Sequence, residues 1–328
     1  MGDVLELAFR RAAGRLIDPR KRWLVAVSGG GDSIALLHLM ERFLDHPVEH
    51  LVVAHLDHAL RRGSRTDRTF VERQARDLGL DIHADRRDVT KARRRDESPE
   101  EAARRVRREF LLETRERHGC DGIVTGHTVD DQAETVLMRL ARGAGMAGLA
   151  GIPESNGPFV RPLLGLERVA LREWLLRRKF EWREDPSNRD PRFDRNRVRR
   201  RLIPLLEEHL NPRAARHLAH AARMLREDSE YLDRLAEQRL NTASKAGRDG
   251  RPVLLVAAVK SFDPVIARRV ALAALKRAGV DGRRIGRKHV EALLDLAEPP
   301  GNREIHLPGN LTARRVRGEI RFGPRRTG

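Results

Sequence analysis

The sequence predicts an α/β fold: a doubly wound parallel sheet followed by a smaller, basic α+β domain. Short apolar runs alternate with amphipathic stretches from Trp23 onward, which is typical of parallel βαβ units. After Asn211 and Pro212 this alternation stops, and charged helices are followed by short strands. We therefore expect two domains, at residues 1–212 and 213–328.

The elements of the first domain follow from apolar runs and from helical periodicity. Strands are predicted at Trp23–Val27, His50–His55, Asp81–Ala84 (the weakest of them) and Gly122–Thr125. Helices are predicted at Ser33–Phe43, Ser64–Leu78, Pro99–Arg117, Asp130–Arg142, Glu167–Lys179 and Asn196–His209, the last kinked or split by Pro204. The glycine- and alanine-rich stretch Arg142–Pro158 is predicted to be a loop or a mobile flap. Because ligands bind at the carboxyl ends of parallel strands, the loops after Val27, His55 and Thr125 should line one site.

The second domain is predicted to be a basic α+β module. Its helices are expected near His217–Leu240, Pro264–Ala278 and Arg287–Leu296, with a polar linker at Ser244–Arg251 and short strands at Glu304–Leu307 and Glu319–Phe322.

The composition of the 328 residues favours a soluble protein with a polyanionic partner. Apolar residues make up 40% of the chain, which is enough to form cores, and the net charge of +18 favours nucleic acid as the first candidate partner and an anionic membrane surface as the second. The single cysteine, Cys120, excludes an internal disulfide, a CxxC redox pair and a cysteine-built zinc site. The amphipathic N-terminal stretch lacks the apolar core of a signal peptide, and no apolar run approaches the ~20 residues of a membrane span. We therefore expect a cytoplasmic protein.

A glycine-rich loop follows the first strand and opens a helix. Its sequence, Ser28-Gly29-Gly30-Gly31-Asp32-Ser33, lets backbone N–H groups converge into an anion-binding nest at a helix N-terminus. Asp32 would repel phosphate unless a Mg²⁺ ion lies between them, so Asp32 is the candidate magnesium ligand. A plain turn in which Asp32 or Ser33 caps the helix is the alternative. A kinase-like P-loop is excluded, because its Gly-Lys-Ser/Thr segment is missing.

This loop resembles the signature of the PP-loop, or N-type, ATP pyrophosphatases, which have an adenine nucleotide α-hydrolase-like fold. Further motifs are similar to those of the tRNA(Ile)-lysidine synthetase family. These motifs are VVAHLDHALR at Val52–Arg61, the segment Thr125–Ile152, EDPSN at Glu184–Asn188 and RFDRNRVRRRLIP at Arg192–Pro204. The C-terminal GNREIHLPG resembles the RNA-binding module of that family more weakly. The resemblance implies that residues 1–212 form an ATP-binding catalytic domain and that residues 213–328 bind tRNA.

The resemblance also implies a reaction and its ligands. ATP, with Mg²⁺, adenylates the C2 carbonyl oxygen of the wobble cytidine in a CAU anticodon, and the ε-amine of free L-lysine then displaces AMP. The partners would be an isoleucine tRNA and lysine, with a homodimer among the allowed assemblies and no membrane. Because methionine tRNAs carry the same anticodon, the basic second domain is expected to supply discriminating contacts.

Site roles follow from matching positions. The implied ATP-binding residues are Ser28, Gly29, Gly30, Gly31, Asp32, Ser33, His55, Gly126 and His127, and the implied tRNA-binding residues are Asn196, Arg197 and Arg199. Asp131 and Glu134 lie three apart at a helix start and share one face, so they could hold the lysine ammonium groups and accept a proton. Arg104 matches a family arginine and could bind phosphate or the lysine carboxylate. Asp32, Asp131, Glu134 and Arg104 are the candidate catalytic residues.

Several alternatives stay open at this point. Asp131 could cap its helix together with Thr128, and Arg104 could belong to a solvated basic face. The run Arg199–Arg201 could likewise be only a solvated face. The nearest rival function is a tRNA-thiolating PP-loop enzyme, although such enzymes generally rely on more cysteines. The other rival is a non-catalytic basic RNA-binding protein.

Overall fold

The computed structural model describes residues 3–59, 64–184, 190, 194–247, 249–299 and 303–325. The chain forms two compact units, Met1–Leu225 and Arg226–Gly328. The division falls inside one continuous helix, Ala214–Ala243, and therefore lies later in the chain than the domain boundary predicted after residue 212.

The first unit contains a six-stranded sheet of strand order β3-β2-β1-β4-β6-β5. Its strands are β1 (Trp23–Ala26), β2 (Leu51–Asp57), β3 (Asp81–Arg86), β4 (Gly122–Val124), β5 (Ser155–Asn156) and β6 (Phe159–Val160). The pairs from β3 to β6 are parallel, and only the edge strand β5 is antiparallel to its neighbour. The predicted parallel sheet is confirmed, and the weakly predicted third strand is the other edge of this sheet.

Helices cover both faces of this sheet. They are α1 (Val4–Leu16), α2 (Gly31–Glu41), α3 (Pro47–His50), α4 (Ser64–Asp77), α5 (Val89–Ala92), α6 (Pro99–Arg117), α7 (Val129–Ala141), α8 (Met146–Leu149), α9 (Arg168–Arg177), α10 (Asp194–Arg197) and α11 (Ile203–His209). Alternate β1 residues point to opposite faces. Trp23 and Val25 join a core with α1, α2, α4 and α9, whereas Leu24 and Ala26 join a second core with α6. Apolar side chains on both faces explain why β1 is a continuous apolar run.

The segment predicted to be a loop or flap, Arg142–Pro158, contains α8 and β5 and is tied to α7. The side-chain amide of Gln132 donates to the carbonyl of Ile152 at 2.9 Å, and Arg139 donates to the carbonyls of Gly148 and Gly151 at 2.8 and 2.9 Å. These side-chain hydrogen bonds order the segment without the apolar periodicity from which helices and strands are predicted.

The predicted helix Asn196–His209 forms, with a distortion. A π-helical segment, Val198–Leu202, joins α10 to α11, and Pro204 lies in the first turn of α11. Proline cannot donate a backbone hydrogen bond and its ring collides with the preceding turn, so a wider π turn before it accommodates the ring. The predicted kink is thus confirmed as a change of helical type.

The second unit contains a five-stranded antiparallel sheet of order β7-β8-β11-β10-β9, packed with helices over one apolar core. Its strands are β7 (Ser244–Ala246), β8 (Pro252–Leu255), β9 (Glu304–Leu307), β10 (Leu311–Val316) and β11 (Glu319–Pro324). Helix α12 (Ala214–Ala243) leads into it, and α13 (Val256–Lys260), α14 (Pro264–Arg277) and α15 (Arg287–Asp295) follow. The α+β prediction is confirmed, but the predicted polar linker Ser244–Arg251 begins with a strand. Within the described residues, no helix is both long and apolar enough to cross a bilayer.

Candidate functional site

The glycine-rich loop lies at the carboxyl end of β1 and is braced by its two serines. Gly29 has φ +91°, a left-handed conformation that glycine adopts without steric strain. The Ser33 hydroxyl donates to the Gly30 carbonyl at 2.8 Å and accepts from the Ser28 amide at 3.1 Å. These bonds hold the loop open above the first turn of α2.

The start of α2 is suited to bind an anion. Among the described residues, none accepts a hydrogen bond from the backbone N–H of Gly31 or Asp32. Unpaired amides at a helix N-terminus, together with the helix dipole, attract phosphate-like groups. These residues line a cavity of about 600 Å³, here called the central cavity, so the amides open into free volume.

The turn after β4 forms the opposite wall of the central cavity. A Cβ atom on Gly126 would lie 3.1 Å from the Asp32 carbonyl oxygen, so glycine permits the close approach of the two loops. The next residue, His127, bonds the Thr125 hydroxyl through Nδ1 at 3.0 Å. Burial lowers the pKa of His127 to about 3, so its imidazole is neutral at physiological pH.

Two carboxylates on α7 are enclosed by guanidinium groups from later in the chain. Glu134 is fully buried and accepts from Nε of Arg195 and from Nε of Arg199, each at 2.6 Å. Asp131 accepts through Oδ1 from Arg195 at 2.9 Å and from Arg168 at 3.2 Å. Burial alone would raise the pKa of Asp131, but Arg195 and Arg168 outweigh burial and lower that pKa to about 2.

Arg168 connects this pair to the glycine-rich loop. Its Nε donates to Oδ2 of Asp32 at 2.8 Å, while its other nitrogens reach Asp131 and, at 3.7 Å, Glu134. Burial raises the pKa of Asp32, and the positive charge of Arg168 partly offsets that effect. We call this set the acid–arginine cluster; its members are Asp32, Asp131, Glu134, Arg168, Arg195 and Arg199.

The predicted helix cap is present in the same cluster. Asp131 accepts through Oδ2 from the Thr128 amide at 2.8 Å and from its hydroxyl at 3.1 Å. The two oxygens of the Asp131 carboxylate therefore have different partners: Oδ2 caps α7, and Oδ1 accepts from the arginines. The cap interpretation of Asp131 is confirmed, and its role towards lysine stays a prediction.

The structure brings most of the sequence-predicted residues to one place. The predicted residues that line the central cavity are Ser28, Gly30, Gly31, Asp32, Ser33, Gly126, His127, Asp131, Asn196 and Arg199. Glu134 lies directly behind this lining, beneath the arginines. The EDPSN and RFD motifs are only partly described, because residues 185–189 and 191–193 lie outside the described ranges.

Besides Glu134, four predicted residues are not part of the cavity lining: Gly29, His55, Arg104 and Arg197. His55 is buried, donates through Nδ1 to the Val27 carbonyl at 2.9 Å, and has no hydrogen-bond partner for Nε2 among the described residues. Arg104 is exposed, and Arg107, one turn further along α6, lines the cavity instead. Arg197 pairs with Asp194 on the outer side of α10.

Sequence reasoning missed several cavity residues, and the missed set is mostly basic. Its members include Arg107, Arg168, Arg172, Trp182, Arg183, Arg195 and Arg200. Arg195 and Arg200 stand inside the recognised RFDRNRVRRR motif, which was the available signal. For Arg168 the local sequence offers no signal, since its partner Asp32 lies 136 residues away.

Comparisons with known proteins agree with this arrangement. The PP-loop domain family matches residues 5–206, and the TilS substrate binding domain family matches residues 254–321. A tRNA(Ile)-lysidine synthase from Thermus thermophilus is 39% identical over 97% of this chain and 60% of its own length. The chain thus spans less than two thirds of that relative. A tRNA(Ile)-lysidine synthase from Thermobifida fusca is 35% identical over 97% of this chain and 96% of its own length.

A solved structure supports the fold. The U34-tRNA thiolase from Methanococcus maripaludis, solved with its iron–sulfur cluster, matches 67% of this chain and 78% of its own with a TM-score of 0.56. At 16% sequence identity, this likeness shows the fold alone.

Proposed function

Since this chain belongs to the tRNA(Ile)-lysidine synthase family, we propose that it ligates lysine to the wobble cytidine of an isoleucine tRNA with a CAU anticodon. The observation that carries the proposal is the acid–arginine cluster, which joins an anion-binding loop to two buried carboxylates inside one cavity. A reaction that activates an oxygen with ATP and then admits a cationic amine needs both the anion-binding loop and the carboxylates.

The first step forms a bond between the cytidine C2 oxygen and the α-phosphorus of ATP and releases pyrophosphate. The amides at the start of α2 would stabilise the charge that builds on the departing pyrophosphate. Asp32 would hold Mg²⁺, which supplies charge neutralisation between the phosphates. Magnesium sites of this kind use one or two carboxylates plus phosphate oxygens, so a single aspartate beside the loop fits the ion.

In the second step the lysine ε-amine forms a bond to C2, and AMP leaves with the former C2 oxygen. Asp131 and Glu134 are the proposed partners of the lysine ammonium groups, and one of them would accept the proton released from the amine. Both carboxylates already accept from Arg195 and Arg199. An incoming ammonium must therefore replace at least one guanidinium, and anionic substrates in the cavity would draw these arginines away.

Two arginines of α6 share the proposed anion contacts. Arg107 lines the cavity, and burial lowers its pKa, so a phosphate or a lysine carboxylate there would gain a poorly hydrated cation. Arg104, exposed one turn away, would meet tRNA phosphate or guide the lysine carboxylate at the rim. Asn196, Arg197 and Arg199 would contact the tRNA.

The second unit is proposed to select the correct tRNA. With residues 1–212 as the catalytic part and 213–328 as the tRNA-binding part, contacts outside the anticodon would separate isoleucine from methionine tRNA. Binding should weaken steeply with salt, since each phosphate contact adds about 0.9 to the slope of log K against log salt. The homodimer remains a prediction, which sedimentation of the full chain would test.

The decisive experiment is mass spectrometry of the wobble nucleoside after incubation with ATP, Mg²⁺, lysine and unmodified isoleucine tRNA. We expect lysidine with the native chain and none with Asp32→Ala, which should keep its tRNA affinity. Asp228→Ala, at an exposed position on α12, is the matched control and should retain activity. An unmodified cytidine with the native chain would overturn the proposal in favour of a non-catalytic RNA-binding protein.

Thiolation is the weaker alternative. Cys120 is the one cysteine of the sequence, and it is 5% exposed. Burial raises the pKa of its thiol, which suppresses the thiolate needed to carry sulfur.

A further inference from the structure

A second cavity, here called the apolar groove, continues from the acid–arginine cluster along α7. It has a volume of about 470 Å³. Its floor consists of aliphatic side chains and one thioether, from Leu137, Met138, Ala141, Val198, Leu202 and Leu205. Leu202 and Leu205 are 40% and 52% exposed, so this apolar surface faces solvent instead of packing into the core.

Basic side chains border the apolar groove. Arg142 and Arg197 both pair with Asp194, which is the single carboxylate among the groove residues. Arg201 is exposed and lies on the same rim. Three guanidiniums and one carboxylate thus line the groove, which gives its rim a net positive charge beside an apolar floor.

Two elements, α7 and the helical run that begins at residue 194, line both the groove and the central cavity. The first turns of α7 contribute Asp131 to the central cavity, and its last turns contribute Leu137 and Met138 to the groove. The helical run from residue 194 to 209 places Arg199 in the central cavity and Arg201 on the groove rim. A polymer with one unit in the central cavity would therefore lay its neighbouring unit over the groove.

We propose that the apolar groove binds a nucleotide of the anticodon loop next to the modified cytidine, with its base on the apolar floor and its phosphate at Arg142, Arg197 and Arg201. This inference rests on the proposed function. Bases are flat and largely apolar on their faces, while each phosphate carries a negative charge that pairs with guanidinium. A second copy of this chain fits less well, because the net charge of +18 makes two copies repel.

The test separates the base contact from the phosphate contact. An anticodon stem–loop RNA is titrated against the full chain at several salt concentrations. Leu205→Ser should weaken binding about threefold to tenfold without changing the salt slope, because only apolar contact is lost. Arg201→Gln should lower the slope by about 0.7–0.9, the contribution of one phosphate contact.

Controls and contrary outcomes are defined for each variant. Leu210 directly follows α11, is 77% exposed and lies outside the groove, so Leu210→Ser should bind RNA as the native chain does. An unchanged salt slope for Arg201→Gln, whose exposed side chain is dispensable for folding, overturns the proposal. It is equally overturned if Leu205→Ser changes the sedimentation of the chain but not RNA binding, since the groove is then a self-association surface. Lysidine formation by the native chain is measured separately, so its absence refutes the proposed function and leaves the groove result interpretable.

Discussion

Replacing Glu134 by glutamine removes one negative charge at the centre of the acid–arginine cluster and leaves the side-chain shape almost unchanged. Glu134 is fully buried, and its two oxygens each accept one charge-assisted hydrogen bond at 2.6 Å. In the variant, the amide oxygen can still accept from one arginine, but the amide NH₂ would face the N–H of the other. One strong bond is lost, and two guanidiniums keep only Asp131 as a shared partner.

The structure sets the size of the effect. Removing one partner of a buried ion pair costs about 3–5 kcal/mol. Arg195 and Arg199 have side chains that are 29% and 28% exposed, so they can recover part of their hydration. We therefore expect a cost at or below the lower limit of that range, a loss of about 2–3 kcal/mol in the free energy of unfolding. For a unit of this size, that corresponds to a fall in Tm of about 5–10 °C.

Thermal and urea unfolding of the full chain, followed by circular dichroism, measure this loss. The matched control is Glu208→Gln, at a carboxylate that is 75% exposed, and it should change stability by less than about 0.5 kcal/mol. Equal stability of the Glu134 and Glu208 variants would refute the conclusion that the cluster fastens α7 to the segment around Arg195.

The remaining predictions concern three other sites. Arg168→Lys should lower kcat about tenfold or more, because an ammonium cannot bond Asp32 and Asp131 with fixed geometry. The control is Arg178→Lys, which should keep its rate because Arg178 follows α9 and pairs with Glu6. Gly126→Ala should raise the KM for ATP about fivefold or more while leaving the KM for lysine unchanged in initial-rate assays, since its Cβ presses on the glycine-rich loop. Burial lowers the pKa of His38 to about 4, so stability should decline as pH falls from 6.5 towards 4, and unfolding of His38→Leu should show a shallower decline.

The strands predicted most clearly from the sequence are those buried on both faces of the sheet. β1, β2 and β4 are buried on both faces; β1 and β4 are therefore uninterrupted apolar runs, and β2 begins with the apolar run Leu51–Ala54. The edge strand β3 is only half-buried, which explains its weak signal. The two-residue strands β5 and β6 are too short to show any periodicity.

β10 was missed for a different reason. In its sequence LTARRV, Arg315 lies on the same side of the strand as the buried Leu311 and Ala313. Its side chain donates to the carbonyls of Leu296 and Ala297, just after α15, at 3.2 and 2.9 Å. An arginine that caps a helix from within a strand breaks the alternation of apolar and polar residues on which strand prediction depends.

The candidate site likewise has a part that could be predicted from the sequence and a part that could not. The glycine-rich loop is formed by six consecutive residues, so the sequence alone sufficed to predict it. The partners of its aspartate are not local: Arg168 reaches Asp32 only because α9 packs beside α2 on the same face of the sheet. Helical spacing also could not decide between Arg104 and Arg107, which lie on neighbouring turns of α6.

One stripe of α7 shows how both cavities arise from a single helical period. Asp131, Glu134, Met138 and Ala141 are spaced three or four residues apart and therefore lie along the same side of α7. The helical run packed against that side also changes from charged to apolar along its length. Arg195 and Arg199 lie beside the acids, and leucines lie beside the apolar turns. Matching polarity along two helices fixes their register, because a shift of one turn would set guanidiniums on apolar side chains and take the two closest partners away from the buried Glu134. The same register that stabilises the pair thus sets a charged cavity and an apolar, arginine-rimmed groove side by side.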